Sequence, residues 1–202
     1  MIRPPRSAEL ERLRAIEIAA GQAFLDVGMP EIAADEPPPL DALERYLADG
    51  WAWVITVGDS DPDETEAGPT SAQPIGGYVI VDVLDDVGPL PTAAHAGAAP
   101  TAGARAAHVE QVSVDPRHAR RGLGRRLLDH VVEEARRRGF DAVTLTTFRD
   151  VPWNAPYYRR CGFRVLADEE IGPGLRRVRD HETALGLDPA RRVCMRRDLD
   201  GS

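Results

Sequence analysis

Hydrophobic positions first recur at roughly helical spacing: Leu10, Leu13, Ile16, Ile18 and Ala20 follow Ser7, a suitable N-cap, so a helix is predicted over residues 8–20. Gly28, Pro30 and Pro37 to Pro39 then break the chain into a loop. A second short helix is predicted over 40–48, closed by Gly50. Residues 51–57 are aromatic and β-branched and read as a strand, with a returning strand at 75–83. Strand 108–114 stops at Asp115-Pro116. Leu127, Leu128, Val131, Val132 and Ala135 make one apolar stripe, which predicts a helix over 124–138 with Gly139 as its C′ residue. A strand at 142–147, a short helix or turn at 153–161, a strand at 163–166, a helical stretch at 175–185 and a last strand at 192–199 follow. No internal repeat is visible.

Composition narrows the class. The chain has 202 residues and is 43% apolar, which suits one domain over 1–202 with a sizeable core. Acidic, Gly, Pro and Ser residues at 58–74, and Ala, Gly and Pro at 84–105, predict two flexible loops. The apolar runs are too short to cross a bilayer, and the first residues lack the apolar core of a signal peptide. Cys161 and Cys194 have the makings of one bridge, but two reduced thiols in a cytoplasmic protein is the simpler reading. A net charge of -8 disfavours nucleic acid as a partner and is compatible with a cationic one, such as an amine. All 25 basic residues are Arg; without Lys the chain cannot carry a Walker A phosphate loop.

The densest chemistry lies at His118-Ala119-Arg120-Arg121-Gly122-Leu123-Gly124-Arg125, between a predicted strand and a helix. A helix start offers unpaired N–H groups and partial positive charge to an anion. Gly122 and Gly124 clear the way to the backbone, and Arg120, Arg121 and Arg125 can pair with a diphosphate. Taken alone, the segment reads equally well as a tight turn with a solvated Arg cluster. The dinucleotide fingerprint is excluded, because its third glycine would fall on Leu127.

Residues 109–139 resemble motif A of the GNAT superfamily of N-acetyltransferases, whose loop reads [Q/R]-x-x-G-x-[G/A]. Here it spans Ala119 to Gly124, with Ala119 where the pattern has Gln or Arg. A second block, Trp153-Asn154-Ala155-Pro156-Tyr157-Tyr158-Arg159-Arg160-Cys161-Gly162-Phe163, resembles motif B: Tyr158 and Gly162-Phe163 match its ending, while the spacing from Asn154 is short. The resemblance implies an α/β fold with a mixed, mostly antiparallel sheet of six to seven strands, a V-shaped splay, and helices on both faces. It also implies acetyl-CoA as cosubstrate and an amine as acceptor; Cys161 has no adjacent base in sequence, so direct transfer in a ternary complex is expected, and the histidine spacing predicts no metal. Coenzyme contacts then fall on Val112, Ser113 and Val114 through their backbone, on Arg120, Arg121, Gly122, Leu123, Gly124 and Arg125, and on Asn154 and Tyr158.

Acyl transfer from a thioester needs an amine freed of its proton, a donor for the carbonyl oxygen, and a proton for the departing thiolate. Tyr158 is the candidate acid. Glu110 and His108 are the candidate bases, since His108, Glu110, Val112 and Val114 alternate onto one strand face. The remaining histidines, His95, His118, His130 and His181, lack metal-ligand spacing. The resemblance places the acceptor, a small-molecule or peptide amine, near Phe24, Asp26, Glu31, Asp35, Glu36, Trp51, Trp53, Tyr157 and the 172–189 segment. A homodimer is one expected state by analogy. A non-catalytic acyl-CoA-binding module on the same fold is the competing reading; it would keep the glycines and need neither Tyr158 nor Glu110.

Overall fold

A computed structural model describes residues 1–58, 73–89 and 103–199. The cores of both predicted loops, 59–72 and 90–102, lie outside the described residues. The chain divides into two compact units: Met1–Ile80 with Gln111–Leu127, and Val81–Glu110 with Leu128–Ser202.

The first unit opens with a two-residue strand, β1 (Ile2–Arg3), which the sequence pattern did not predict. Helix α1 (Leu10–Gly21) follows a 3₁₀ turn at Ser7–Glu9. Ser7 is not its cap; Glu9 instead reaches back to the Arg6 amide at 2.7 Å and pairs with Arg3. A single-turn helix, α2 (Pro30–Ala33), occupies part of the predicted loop. Helix α3 (Leu40–Ala48) and strand β2 (Ala52–Thr56) match expectation, and β3 (Ile75–Leu84) returns antiparallel to β2. Leu10, Leu13 and Ile16 of α1 and Leu43 of α3 bury against Ala52 and Val54 of β2 and Ile75, Tyr78 and Ile80 of β3. At about 1.5–3 kcal/mol per large side chain, this apolar layer fixes the two helices on the strands.

Strand β4 (Ala106–Val114) and helix α4 (Leu123–Arg137) begin in one unit and end in the other, as β3 does. The second unit adds β5 (Ala142–Phe148), α5 (Ala155–Arg160), β6 (Arg164–Val165), α6 (Pro173–Ala184) and β7 (Arg192–Asp198). Strand order is β1-β2-β3-β4-β5-β7-β6, an open seven-stranded sheet. The sheet is mixed: β4 runs parallel to β5, while β7 is antiparallel to β5 and β6. Leu175 of α6 packs with Ala106, Ala142 and Cys194 on one face. Residues of opposite parity, Ala107, Val143, Leu145, Val193 and Met195, are buried too, so both faces are covered here.

The parallel ladder runs from Ala106–Ala142 to Val109–Leu145 and stops there, although β4 continues to Val114 and β5 to Phe148. The expected parting of the sheet falls at this point of β4.

Candidate active site

In the first unit the loop at residues 118–124 hangs from a firmly seated base. Asp115 is buried and accepts hydrogen bonds from the Arg117 amide at 3.0 Å, from the Arg117 guanidinium, and from Arg12 of α1. Burial works to raise the Asp115 carboxyl, but the Arg117 hydrogen bonds and the charges of Arg117 and Arg12 overcome it and bring the pKa to about 2. On the far side of the loop Leu123 is buried as α4 begins. A Cβ on Gly76 would meet Leu123 at 2.9 Å and Val57 at 2.8 Å, so β3 carries glycine there to admit the loop's anchor.

Between these anchors Ala119, Arg120, Arg121 and Gly122 are exposed. Gly122 turns through φ 74°, and Arg120 adopts φ 60°, a left-handed conformation unusual for a side chain of its size. Such a residue costs about 1–3 kcal/mol and is typical of ligand-binding loops. Arg121 lies 3.2 Å from His118 Nδ1. Among the described residues, the amides of Gly122, Leu123 and Gly124 have no internal acceptor; the Gly122 carbonyl takes the Arg126 amide as the first turn of α4 closes. These amides and the exposed arginines form a cradle suited to a diphosphate.

Ser113 has its side chain engaged, 2.8 Å from the Gln111 amide and bonded to Tyr78, which also donates to Glu17 of α1. Its side chain is therefore not free for a ligand. A Cβ on Gly77 would lie 2.7 Å from the Ser113 carbonyl, so β3 and β4 approach closely at this point. Adjacent glycines within a predicted strand signal such an approach; Gly76 and Gly77 are close-packing positions that motif reading passed over.

The second unit holds the candidate acid and bases. Tyr158 lies on α5, its ring edge-on to Tyr157 and Phe163 at centroid distances of 5.6 and 6.1 Å. Burial first, then Cys161, pushes its phenol up to about 12, with Arg192 opposing. The phenol therefore holds its proton at neutral pH and can donate it. Asn154 sits at the N-cap of α5, where its carbonyl accepts the amides of Tyr157 at 2.8 Å and Tyr158 at 2.9 Å; its side chain bonds to none of the described residues. Asn154 thus sets the backbone that carries Tyr158. Cys161 and Cys194 are both buried free thiols.

His108 and Glu110 share a strand face, as alternation requires, but differ in state. His108 is 1% exposed, with Nδ1 2.9 Å from the Thr144 hydroxyl, its partner in register. Burial first, and Arg192 second, lowers it to about 4, so the ring is neutral at pH 7. The histidine is a core residue, which counts against the role of base expected of it. Glu110 reaches solvent. Its carboxyl is nonetheless crowded by protein, and its pKa is raised by this burial and by Asp82 and Glu182, with His181 and Arg192 pulling the other way.

Among the expected acceptor residues, Trp51 and Trp53 are buried and stack edge-on at 5.8 Å, which makes them core. No group of three or more His, Cys, Asp and Glu suited to a metal occurs among the described residues, and His95 lies outside them. No described helix is long and apolar enough to cross a membrane.

The open α/β sheet whose parallel ladder stops short, and the loop bearing Gly122 and the arginines between strand and helix, accord with the fold of an acyltransferase. The model of the acetyltransferase (GNAT) family matches residues 43–163, more than half of the chain, and the chain belongs to that family, whose members use acetyl-CoA. Solved structures agree on the fold. A GNAT acetyltransferase from Staphylococcus aureus Mu50 is 15% identical over 99% of both chains, with a TM-score of 0.62. Arabidopsis thaliana NAA60, solved with a bisubstrate analogue, is 14% identical over 100% of this chain and 99% of its own, with a TM-score of 0.60. N-acetylglutamate synthase from Neisseria gonorrhoeae, solved with coenzyme A and N-acetyl-glutamate, is 16% identical with a TM-score of 0.57; the match covers 98% of this chain and 35% of that one, so this chain spans about a third of its length.

Proposed function

We propose that the protein transfers the acetyl group of acetyl-CoA directly to a primary amine, as a single catalytic domain. The observation that carries this is the cradle at Gly122-Leu123-Gly124, whose amides have no internal acceptor among the described residues and so suit a diphosphate. Continuity of β3, β4 and α4 through both compact units supports the single-domain reading.

In this reading Arg120, Arg121 and Arg125 neutralise the diphosphate, and the backbone of Val112, Ser113 and Val114 receives the pantetheine arm and the acetyl oxygen. Glu110 is the base. It is solvent-accessible and its raised pKa brings it closer to the working pH, whereas buried His108 at about 4 is a poor proton acceptor. Glu110 takes one proton from the acceptor ammonium, directly or through water, and passes it to solvent. The amine nitrogen then forms the C–N bond as the C–S bond breaks, and the electron pair leaves on sulfur. Tyr158 delivers its proton to that sulfur, and the second proton leaving nitrogen restores the phenol. A bisubstrate analogue bound to NAA60 is consistent with both substrates meeting before transfer.

Retention of both Glu110 and Tyr158 favours the enzyme over a non-catalytic acyl-CoA-binding module. Two unbridged thiols favour a reducing compartment such as the cytoplasm. By family analogy we propose a homodimer, which light scattering would weigh. The deciding experiment is acetyl-CoA calorimetry followed by a thiol-release assay over small amines, polyamines, aminoglycosides and peptide N-termini. Binding with turnover on at least one amine is expected, and Glu110→Gln should reduce that turnover about 100-fold or more. Absence of acetyl-CoA binding would overturn the proposal.

A further inference from the structure

The strand face that carries Glu110 is polar, and its register is explicit. His108 pairs with Thr144, and along β5 the same face continues through Thr146 to Phe148. Phe148 pairs across β7 with Arg192, whose guanidinium turns back over the ring, 4.8 Å from its centroid. There Arg192 donates to the Thr146 hydroxyl at 3.0 Å and, through both Nε and Nη2, to the carboxylate of Glu182 on α6. Thr146 also donates to Glu182. The side chains of Arg192 and Glu182 are each 13% exposed. The planar fork of Arg192 engages a carboxylate, a hydroxyl and a ring together, which holds its positive charge in one place.

We propose that Arg192 is a positioning residue for acyl transfer, a guanidinium clamped by Glu182, Thr146 and Phe148 that governs the charge of the face bearing Glu110. The groups facing Glu110 come from every neighbouring element: Asp82 of β3, His108 on its own strand, His181 and Glu182 of α6, and Arg192 of β7. Arg192 also acts on His108 and on Tyr158, so one fixed cation reaches all three candidate proton-handling groups. Losing it would have two effects of the same sign on Glu110. An attracting cation disappears, and the Glu182 carboxylate beside it is left uncompensated.

This inference rests on Glu110 being the base, and the experiment separates the two claims. Profiles of kcat/KM against pH are recorded for the wild type, Arg192→Met, Arg192→Lys, Glu182→Gln and the Arg192→Met/Glu182→Gln pair. The base works deprotonated, so Arg192→Met should move the acidic limb to higher pH. Glu182→Gln should move it to lower pH, Arg192→Lys should leave it near the wild type, and the double variant should return toward the wild type. A uniform loss of rate in Arg192→Met with an unmoved limb would overturn the proposal, since a purely structural role predicts that result. If Arg192→Met does not fold, the direction of the Glu182→Gln shift decides the matter, and an upward or absent shift overturns it. A carbon-13 titration of the Glu110 carboxyl, assigned with Glu110→Gln, must show the same shifts without any turnover. Full activity in Glu110→Gln would remove Glu110 as base, yet this titration would still test Arg192.

Discussion

A phenol serves as an acid only while it keeps its proton, and burial secures this for Tyr158 with a pKa of about 12. Tyr158→Phe keeps the rings packed on Tyr157 and Phe163 while removing the proton. It should lower kcat about 100-fold, as loss of a general acid does, with the dissociation constant for acetyl-CoA unchanged by calorimetry. Equal kcat in the variant would strip Tyr158 of the role. Legibility differs sharply among these residues. Tyr158 stood out because a short motif fixes its place on one turn of helix. Arg192 did not, because its partners Thr146 and Glu182 lie 46 and 10 residues away and meet it only through strand register and helix packing. His108 was visible as a candidate, but its burial was not, since alternation names a face and does not say what covers it.

At the scale of elements, the loop and its two glycine contexts make distinct demands. Gly122 has a positive φ, and nothing lies within 4 Å of where a Cβ would stand, so its constraint is conformational alone. Gly122→Ala should disfavour the cradle by about 1 kcal/mol and so weaken acetyl-CoA binding roughly fivefold, with little change in melting temperature. Gly77 has no such φ, but its Cβ would meet the Ser113 carbonyl at 2.7 Å. Gly77→Ala should therefore lower stability by about 1–3 kcal/mol, measured by urea unfolding. If the two variants behaved alike, the assignment of one glycine to ligand binding and the other to packing would fail. The long periodic helices and the strands around the Gly122 loop were readable because their patterns repeat. Strand β1, with two residues, and α2, with four, are too short for any period and owe their form to tertiary partners.

For the whole molecule, two buried groups set separate acid windows. His108 has its pKa depressed on folding, so its contribution is complete above the ordinary value near 6.5 and is lost as pH falls toward 4, about 3 kcal/mol in all. Asp115 is depressed from 3.8 to about 2, so its contribution of about 2 kcal/mol persists above pH 4 and is lost as pH falls toward 2. Urea unfolding across this range should show both declines in turn. His108→Gln should flatten only the first and Asp115→Asn only the second; a single decline insensitive to either variant would refute the assignment.

Helix α6 is fastened differently at its two ends. Near its start, the amides of Gly172 and Gly174 donate to Val87 and Asp86 at 3.2 and 2.9 Å, and a Cβ on either glycine would collide with the backbone of residues 85–88. Near its close, the tie is made by the side chains of Glu182, Thr146 and Arg192. The rear of this shelf is thus welded by main chain, while its front edge is written in exchangeable letters. Substitution of Glu182 can therefore loosen that front tie while the main-chain anchorage at the start of the helix stays in place.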